Sequence, residues 1–143
     1  SGSGRRYSFV PGVTPPTPQP GDLNPSWGPK HLYPLETFDR GVLPAVRNAA
    51  IPANEAADWP KEFRSFATKI RIPVRFTFGD HERLWEVTDG HFAALRALLS
   101  ECPRLDIAVQ EGAGHNVSLS HAARAYHLKA ISFADECVLR AQL

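Results

Sequence analysis

The sequence has no strong excess of either charge and no long apolar run. Its 143 residues include 16 basic and 15 acidic side chains, which gives a formal net charge of +1. This balance offers no electrostatic basis for binding nucleic acid or an anionic membrane, because both partners need clustered positive charge. No apolar run approaches the roughly 20 residues that span a bilayer, and no signal-peptide pattern opens the sequence. We therefore expect neither nucleic acid nor a membrane as a partner.

Cysteines are few, and metal-ligand motifs do not occur. Cys102 and Cys137 are the two cysteines of the chain, and both fall in or beside helical patterns. We interpret them as buried free thiols rather than a disulfide, which is typical of a reducing, cytoplasmic setting. No CxxC or HExxH spacing is present, so the sequence predicts no metal site and no cofactor.

Apolar residues are sufficient for one globular domain, at 43% of the sequence. Residues 1–34 are rich in proline, which fixes φ and lacks a backbone donor, and they are predicted to form a connecting arm. The arm nevertheless carries five large apolar side chains: Tyr7, Phe9, Trp27, Leu32 and Tyr33. We therefore expect a loop that lies along a protein surface rather than a solvated tail.

Residues 35–70 are predicted to be a small helical section. Apolar residues recur there at helical spacing, although Gly41 and Pro44 weaken or kink the first helix. Asp58 is a candidate N-cap for the second helix, with Pro60 in its first turn. The apolar stripe of that second helix is Phe63, Phe66, Ala67 and Ile70.

From residue 71 onward, strand and helix patterns alternate. Period-2 alternation predicts strands over 72–78 and 105–109, with a helix over about 88–100 between them. Ser118 or Ser120 is expected to cap a long last helix. The stripe of that helix is Tyr126, Ala130, Phe133 and Cys137, widened by Ile131, Ala134 and Val138. The order β-α-β-α with a right-handed crossover predicts parallel strands, and their alternation places them towards a sheet edge.

Ionisable side chains follow both predicted strands. Asp80, His81 and Glu82 come after the first strand, and His115 comes after the second. Ligands of open parallel sheets bind at this edge, and an imidazole oriented by a carboxylate can act as a general base. The residues alone leave two interpretations open: half of a catalytic site, or a histidine beside a carboxylate in ordinary polar loops. The remaining histidines are interpreted as structural or solvated: His31, His91, His121 and His127.

The segment from Ile70 to the C-terminus resembles the C-terminal part of an α/β-hydrolase. In that family a strand ending in G-x-x-D/E carries the acid of the catalytic triad, and a later G-x-G-H loop carries its histidine. Gly79-Asp-His-Glu82 and Gly112-Ala-Gly-His-Asn116 match these motifs in order and spacing. The resemblance implies an α/β fold with parallel edge strands and flanking helices over residues 71–143. It also implies that residues 35–70 form a small helical cap.

The resemblance implies that His115 is the base and that Glu82, three residues after the glycine, is the acid. Asp80, one residue after the glycine, stays an alternative acid, because Glu82 stands where the family usually has aspartate. Candidate walls of a pocket for a small apolar substrate are Trp85, Leu84, Trp59, Phe38 and Trp27. Apolar residues of this kind are more often part of the core, and that alternative stays open for each of them.

The nucleophile of the family lies on G-x-S-x-G, and this motif does not occur in the sequence. The central strands of such a sheet are missing too, which would leave an inner strand edge unpaired. We therefore expect a cleaved or split enzyme, a heterodimer in which an N-terminal hydrolase fragment or chain carries the nucleophile. The expected reaction is attack on an ester, thioester or amide through a covalent acyl intermediate.

Three alternatives to this hydrolytic reaction stay open. The same scaffold supports acyl transfer or cyclisation. The chain is also compatible with a non-catalytic binding or structural subunit of hydrolase shape. Finally, Ser1 is a candidate N-terminal nucleophile that would use its own α-amine as the base.

Overall fold

The computed structural model describes residues 6–12, 28–39 and 53–143. Three sequence predictions lie outside these residues: the nucleophile role of Ser1, the pocket role of Trp27 and the kinked helix near Pro44. The described elements, in chain order, are a 3₁₀ helix (Lys30–Leu32), α1 (Glu36–Asp39), α2 (Ala53–Ala67), β1 (Val74–Gly79), α3 (Asp89–Leu98), β2 (Leu105–Gln110), a second 3₁₀ helix (Val117–Leu119) and α4 (Ala123–Ala141). None of the helices in these ranges has the length and apolar character that a membrane span requires.

The two strands form a parallel sheet, with Val74 opposite Leu105 and Gly79 opposite Gln110. The pairing continues past the last strand residue, because the Asp80 N–H donates to the Gln110 carbonyl at 3.0 Å. Since the strands run in register, their carboxyl ends reach the same level of the sheet. The α/β class and the parallel strand pair predicted from the sequence are confirmed in the described residues.

The two faces of the sheet differ in chemistry. One face packs on an apolar core formed by Phe9, Phe63, Ala67, Phe78, Leu95 and Leu99. The opposite face carries an ion pair between Arg75 and Asp106 and lies against α4. There the Lys129 ammonium donates to the Gln110 side chain at 3.0 Å. This difference explains why both strands alternate apolar and polar residues.

The helices after β1 follow the sequence pattern closely. Thr88 caps α3, because its hydroxyl accepts the His91 N–H at 3.2 Å, and Leu95 and Leu99 turn to the core. The predicted stripe of α4 is half-buried along its whole length: Tyr126, Ala130, Phe133 and Cys137. The residues predicted to widen the stripe are exposed instead, Ile131 to 58% and Val138 to 57%.

The predicted cap at Asp58 is wrong. Asp58 lies inside α2, which begins at Ala53 and continues through Pro60 to Ala67. Proline inside a helix removes one backbone hydrogen bond and crowds the preceding turn. The helix nevertheless continues through Pro60, which the sequence pattern places in its first turn.

The predicted cap of the last helix is wrong as well. Ser118 falls within the second 3₁₀ helix, and Ala122, which makes no side-chain cap, precedes α4. The Ser120 hydroxyl donates to the Val117 carbonyl at 2.8 Å and accepts the Ala122 N–H at 3.1 Å. Ser120 therefore closes the short turn before α4 instead of capping the helix itself.

The first part of the arm is built into the core. Tyr7 pairs with the loop after β1: its N–H donates to the Leu84 carbonyl at 2.8 Å, and its carbonyl accepts the Glu86 N–H at 2.9 Å. Phe9 is 3% exposed and stacks on Trp85 at 5.0 Å between ring centroids. Tyr7 and Phe9 thus lie along the protein, as expected, and Phe9 becomes part of its core.

Both cysteines are free thiols, as predicted, but they are half-buried rather than buried. The Cys102 thiol donates to the carbonyls of Ile72 at 3.0 Å and Arg104 at 3.1 Å. Cys137 lies 3.9 Å from the Arg104 guanidinium. Ile72 and Arg104 precede the two strands, so both thiols lie at the end of the sheet opposite to the loops after β1 and β2.

Candidate active site

Glu82 and His115 meet where the two strands end. Nδ1 of His115 lies 2.9 Å from Oε2 of Glu82. The other carboxylate oxygen, Oε1, accepts the N–H of Leu84 at 2.7 Å and that of Trp85 at 3.3 Å. The Glu82 side chain is 2% exposed and the His115 side chain 34%. Three donors therefore fix a buried carboxylate, and the imidazole remains partly open to solvent.

The charge of Glu82 is maintained against the effect of burial. Burial alone would raise the pKa of this carboxyl, but the hydrogen bond and charge of His115, with the N–H groups of Leu84 and Trp85, lower the pKa overall. Glu82 is therefore ionised at neutral pH. Because an ionised carboxylate only accepts hydrogen bonds, Nδ1 of His115 carries the proton. The lone pair of the neutral ring then lies on Nε2, the atom that a general base uses.

Asp80 joins the two strand-end loops instead of contacting the imidazole. Its Oδ2 accepts the Gly112 N–H and its Oδ1 the Ala113 N–H, both at 3.0 Å. Burial would raise the pKa of Asp80, but these two hydrogen bonds help to lower it overall. The structure thus brings Glu82, and not Asp80, to the ring of His115.

Two glycines allow the loops to approach each other. A Cβ at Gly79 would lie 2.5 Å from the Gly114 oxygen and 2.7 Å from the Ala113 carbonyl carbon, so no larger residue fits there. Gly112 has a φ of +69°, in the left-handed region. The His81 N–H donates to the Ala113 carbonyl at 2.9 Å and completes the junction. The glycines of both sequence motifs therefore serve the contact between the loops.

The second described part of the arm also reaches the histidine loop. The Leu32 carbonyl accepts the His121 N–H at 2.9 Å. Tyr33 is 2% exposed. Burial and the charge of Glu82 raise the pKa of its hydroxyl, whereas the backbone groups of Gly114 and Asn116 lower it, and the net effect is a raised pKa. The sequence indicated only that Tyr33 is apolar enough to be covered. A buried hydroxyl needs polar neighbours, but nothing local in the sequence identifies them.

The described aromatic residues predicted to line a substrate pocket are not brought together. Trp85 stacks on Phe9, and Trp59 lies on α2 with 43% of its surface exposed. Phe38 packs edge-on against Tyr33, with ring centroids 5.7 Å apart. Their assignment to a substrate pocket stays a prediction.

A cavity of about 200 Å³ lies away from the Glu82–His115 pair, between the polar sheet face and α4. Its charged lining residues are Arg75, Arg104, Asp106, Lys129 and Glu136. Arg75 pairs with Asp106, and Arg104 pairs with Glu136. Two ion pairs thus use four of these charges, and the Lys129 ammonium donates to the Gln110 side chain. We therefore regard the cavity as part of the packing between α4 and the sheet.

The described residues supply no further group for catalysis beside His115. Within them, no set of three or more His, Cys, Asp or Glu side chains is arranged to hold a metal ion. No serine, threonine or cysteine side chain of these ranges is hydrogen-bonded to the His115 ring; its partner there is Glu82. Both thiols lie at the far end of the sheet.

No protein family, curated protein or solved structure gives a significant match to this chain. The resemblance to α/β-hydrolases therefore stays a prediction, which rests on two sequence motifs, Gly79–Glu82 and Gly112–Asn116.

Proposed function

We propose that this chain supplies the histidine and the acid of an α/β-hydrolase-type active site, and that a partner chain supplies the nucleophile. The observation that carries the proposal is the 2.9 Å contact between Nδ1 of His115 and the buried carboxylate of Glu82. Ser-His-acid sites hold their base in this way, because the carboxylate fixes the tautomer and stabilises the imidazolium that forms during attack.

In the proposed reaction, Nε2 of His115 takes the proton of the nucleophile hydroxyl as its oxygen attacks the substrate carbonyl carbon. The imidazolium then returns that proton to the leaving alcohol, thiol or amine as the acyl bond breaks. Water, deprotonated by the same Nε2, then attacks the acyl carbon. The bond from that carbon to the nucleophile oxygen breaks, the imidazolium returns the proton to this oxygen, and the acid is released. Glu82 stays ionised throughout and stabilises the positive ring.

Two observations favour a partner that completes the site. Within the described residues, β1 pairs with β2 along one edge and with no strand along its other edge. An open inner edge is a position where further strands add to a sheet. In these residues His115 also has no nucleophile on its ring. A partner with a G-x-S-x-G turn would supply both the strands and the nucleophile.

The proposed substrates are small apolar esters, thioesters or amides, and the proposed setting is the cytoplasm. Both follow from the resemblance and from the free thiols. Acyl transfer or cyclisation differs from hydrolysis only in what resolves the acyl intermediate. Product analysis with and without an added acceptor separates these reactions.

The test is co-expression of this chain with a G-x-S-x-G-bearing partner, followed by an assay on short-chain p-nitrophenyl esters. We expect His115→Ala to lower kcat by about 10⁴-fold or more. His127→Ala is the matched control, since His127 is an exposed histidine on α4, and it should leave kcat unchanged.

Turnover by His115→Ala within a few-fold of the wild type would refute the enzyme proposal. A second diagnostic is acylation of the complex by a fluorophosphonate probe, which reports an activated serine. A complex that assembles but reacts with neither ester nor probe would instead identify a binding or structural subunit.

A further inference from the structure

One peptide group joins the arm to the acid of the candidate site. Its carbonyl, that of Leu84, accepts the Tyr7 N–H at 2.8 Å. Its N–H, that of Trp85, donates to Oε1 of Glu82 at 3.3 Å. The Leu84 N–H, one peptide group earlier, donates to the same carboxylate oxygen at 2.7 Å. The two N–H groups that hold Oε1 therefore belong to the segment with which the arm pairs.

The arm pairs with this segment as a short parallel bridge, in which Tyr7 lies opposite Trp85. The Tyr7 carbonyl also accepts the Glu86 N–H at 2.9 Å, so hydrogen bonds to the arm lie on both sides of Trp85. The rings of Tyr7 and Trp85 lie 5.5 Å apart between centroids. Because each peptide group is planar, the pairing also sets where the N–H of Trp85 points.

The arm is itself held by two helices. The Phe9 N–H donates to Nδ1 of His91 on α3 at 3.2 Å. The Phe9 carbonyl accepts the Arg64 guanidinium of α2 at 2.6 Å, and the Phe9 ring lies in the core. These anchors come from elements other than the loop after β1. The arm therefore offers that loop a fixed support.

Glu82 depends on such a support because its carboxylate is buried. The side chain is 2% exposed, and its Oε2 lies 2.9 Å from Nδ1 of His115. A buried charge is costly unless donors satisfy it, and hydrogen bonds to an ionised acceptor are the strong ones. The place of the carboxylate, and with it the direction of the imidazole, depends on how firmly the N–H groups of Leu84 and Trp85 are held.

We propose that Tyr7 is a positioning residue for Glu82: its backbone pairing with residues 84–86 fixes the two N–H groups that direct the carboxylate towards His115. The purpose of this support rests on the proposed function of His115 as a base, but the support itself belongs to this chain alone. The acid is then held from the arm, while Asp80 holds the loop of the histidine.

The experiment is amide hydrogen exchange, followed by NMR on the full chain, in Tyr7→Pro and Tyr7→Ala. Both substitutions remove the ring, but only proline removes the N–H that the Leu84 carbonyl accepts. We expect exchange at the Leu84 and Trp85 amides to be about tenfold faster in Tyr7→Pro, because the segment loses one of its anchors. Gly112 and Ala113, which Asp80 holds, should exchange at the same rates in both variants.

Two further readouts follow the carboxylate and the imidazole. The N–H groups of Leu84 and Trp85 help to lower the pKa of Glu82, so this pKa, measured from the carboxyl carbon shift, should be higher in Tyr7→Pro than in Tyr7→Ala. The downfield proton resonance of Nδ1–H in His115 reports its hydrogen bond to Glu82 and should be broader in Tyr7→Pro. If Tyr7 served packing alone, both readouts would be equal in the two variants, since both lack the ring.

Equal exchange at Leu84 and Trp85 in the two variants would overturn the proposal, and so would a uniform acceleration throughout the chain in Tyr7→Pro. If Tyr7→Pro does not fold, Arg64→Met decides the matter, because it removes the donor to the Phe9 carbonyl and loosens the arm. Its matched control is Arg96→Met, which replaces an exposed arginine of α3. Exchange at Leu84 and Trp85 should be faster in Arg64→Met, and equal rates would overturn the proposal.

None of these readouts needs a partner or turnover. Failure of the enzyme proposal would therefore leave the result for Tyr7 intact, and the reverse also holds.

Discussion

Glu82 and His115 lie 2.9 Å apart although 33 positions separate them in the chain. The contact exists because Gly79 and Gln110 end paired parallel strands at the same level. Asp80 then ties the loop after β2 to the loop after β1. The paired strand ends thus bring a carboxylate and an imidazole from two separate loops into contact.

The first prediction separates the two carboxylates that follow β1. Glu82→Gln keeps the shape but removes the charge that selects the Nδ1–H tautomer, so kcat of the assembled enzyme should fall by about 10⁴-fold. Asp80→Asn should change kcat far less. It should instead lower the free energy of unfolding by about 1–2 kcal/mol, because two backbone donors lose an ionised acceptor. Steady-state kinetics and urea unfolding of both variants test this, and a larger kcat loss in Asp80→Asn would reverse the assignment.

The second prediction concerns the glycine at the end of β1. Gly79→Ala places a Cβ where the Ala113 and Gly114 carbonyl groups lie. Displacing these backbone atoms costs more free energy than rotating a flexible side chain. We expect the free energy of unfolding to fall by at least about 1–3 kcal/mol. Thermal unfolding of the two variants measures the difference. Gly90→Ala in α3 is the matched control, since its Cβ meets nothing within 4 Å; equal losses in the two variants would contradict the prediction.

The third prediction is a pH dependence from Glu82. Its pKa is lower in the folded chain than the ordinary value of 4.5, so the unfolded chain binds more protons between these two pKa values. The stability that Glu82 contributes is therefore complete above about pH 4.5 and is lost as the pH falls through the folded pKa. Urea unfolding between pH 6 and pH 3 should show the advantage of wild type over Glu82→Gln shrinking on acidification. A constant difference over this range would contradict the assignment of Glu82 as an ionised, paired group.

The fourth prediction concerns His91, which is fully buried against the arm. Its Nδ1 accepts the Phe9 N–H at 3.2 Å. Burial lowers the pKa of His91 below the ordinary 6.5, while the charge of Glu86 partly opposes this. Below about pH 6.5 the unfolded chain therefore binds the extra proton first, and stability falls as the pH decreases towards the folded pKa.

Protonation of His91 would also turn Nδ1 into a donor and break its bond to Phe9. Unfolding free energies between pH 7.5 and pH 5 should therefore fall more steeply in wild type than in His91→Gln, which keeps an acceptor oxygen but does not titrate. Hydrogen exchange at the Phe9 amide should accelerate over the same range. Parallel pH profiles for the two proteins would show that His91 does not control the docking of the arm.

Local patterns in the sequence were sufficient for the elements near the site. Alternation identified both strands to within a few residues, and the bounds of α3 and the half-buried stripe of α4 agree with the helical spacing. The caps predicted at Asp58 and at Ser118 or Ser120 are wrong. A cap preference of about 1 kcal/mol is too small to fix by itself where a helix begins.

The sequence by itself determined that a glycine lies at or just beyond the end of each strand, and that carboxylates follow one strand and a histidine the other. Only the tertiary structure decided that Glu82 reaches the imidazole while Asp80 binds the backbone of the opposite loop. Both carboxylates satisfy the same local pattern, and the direction of the chain after Gly79 depends on contacts with residues more than thirty positions away.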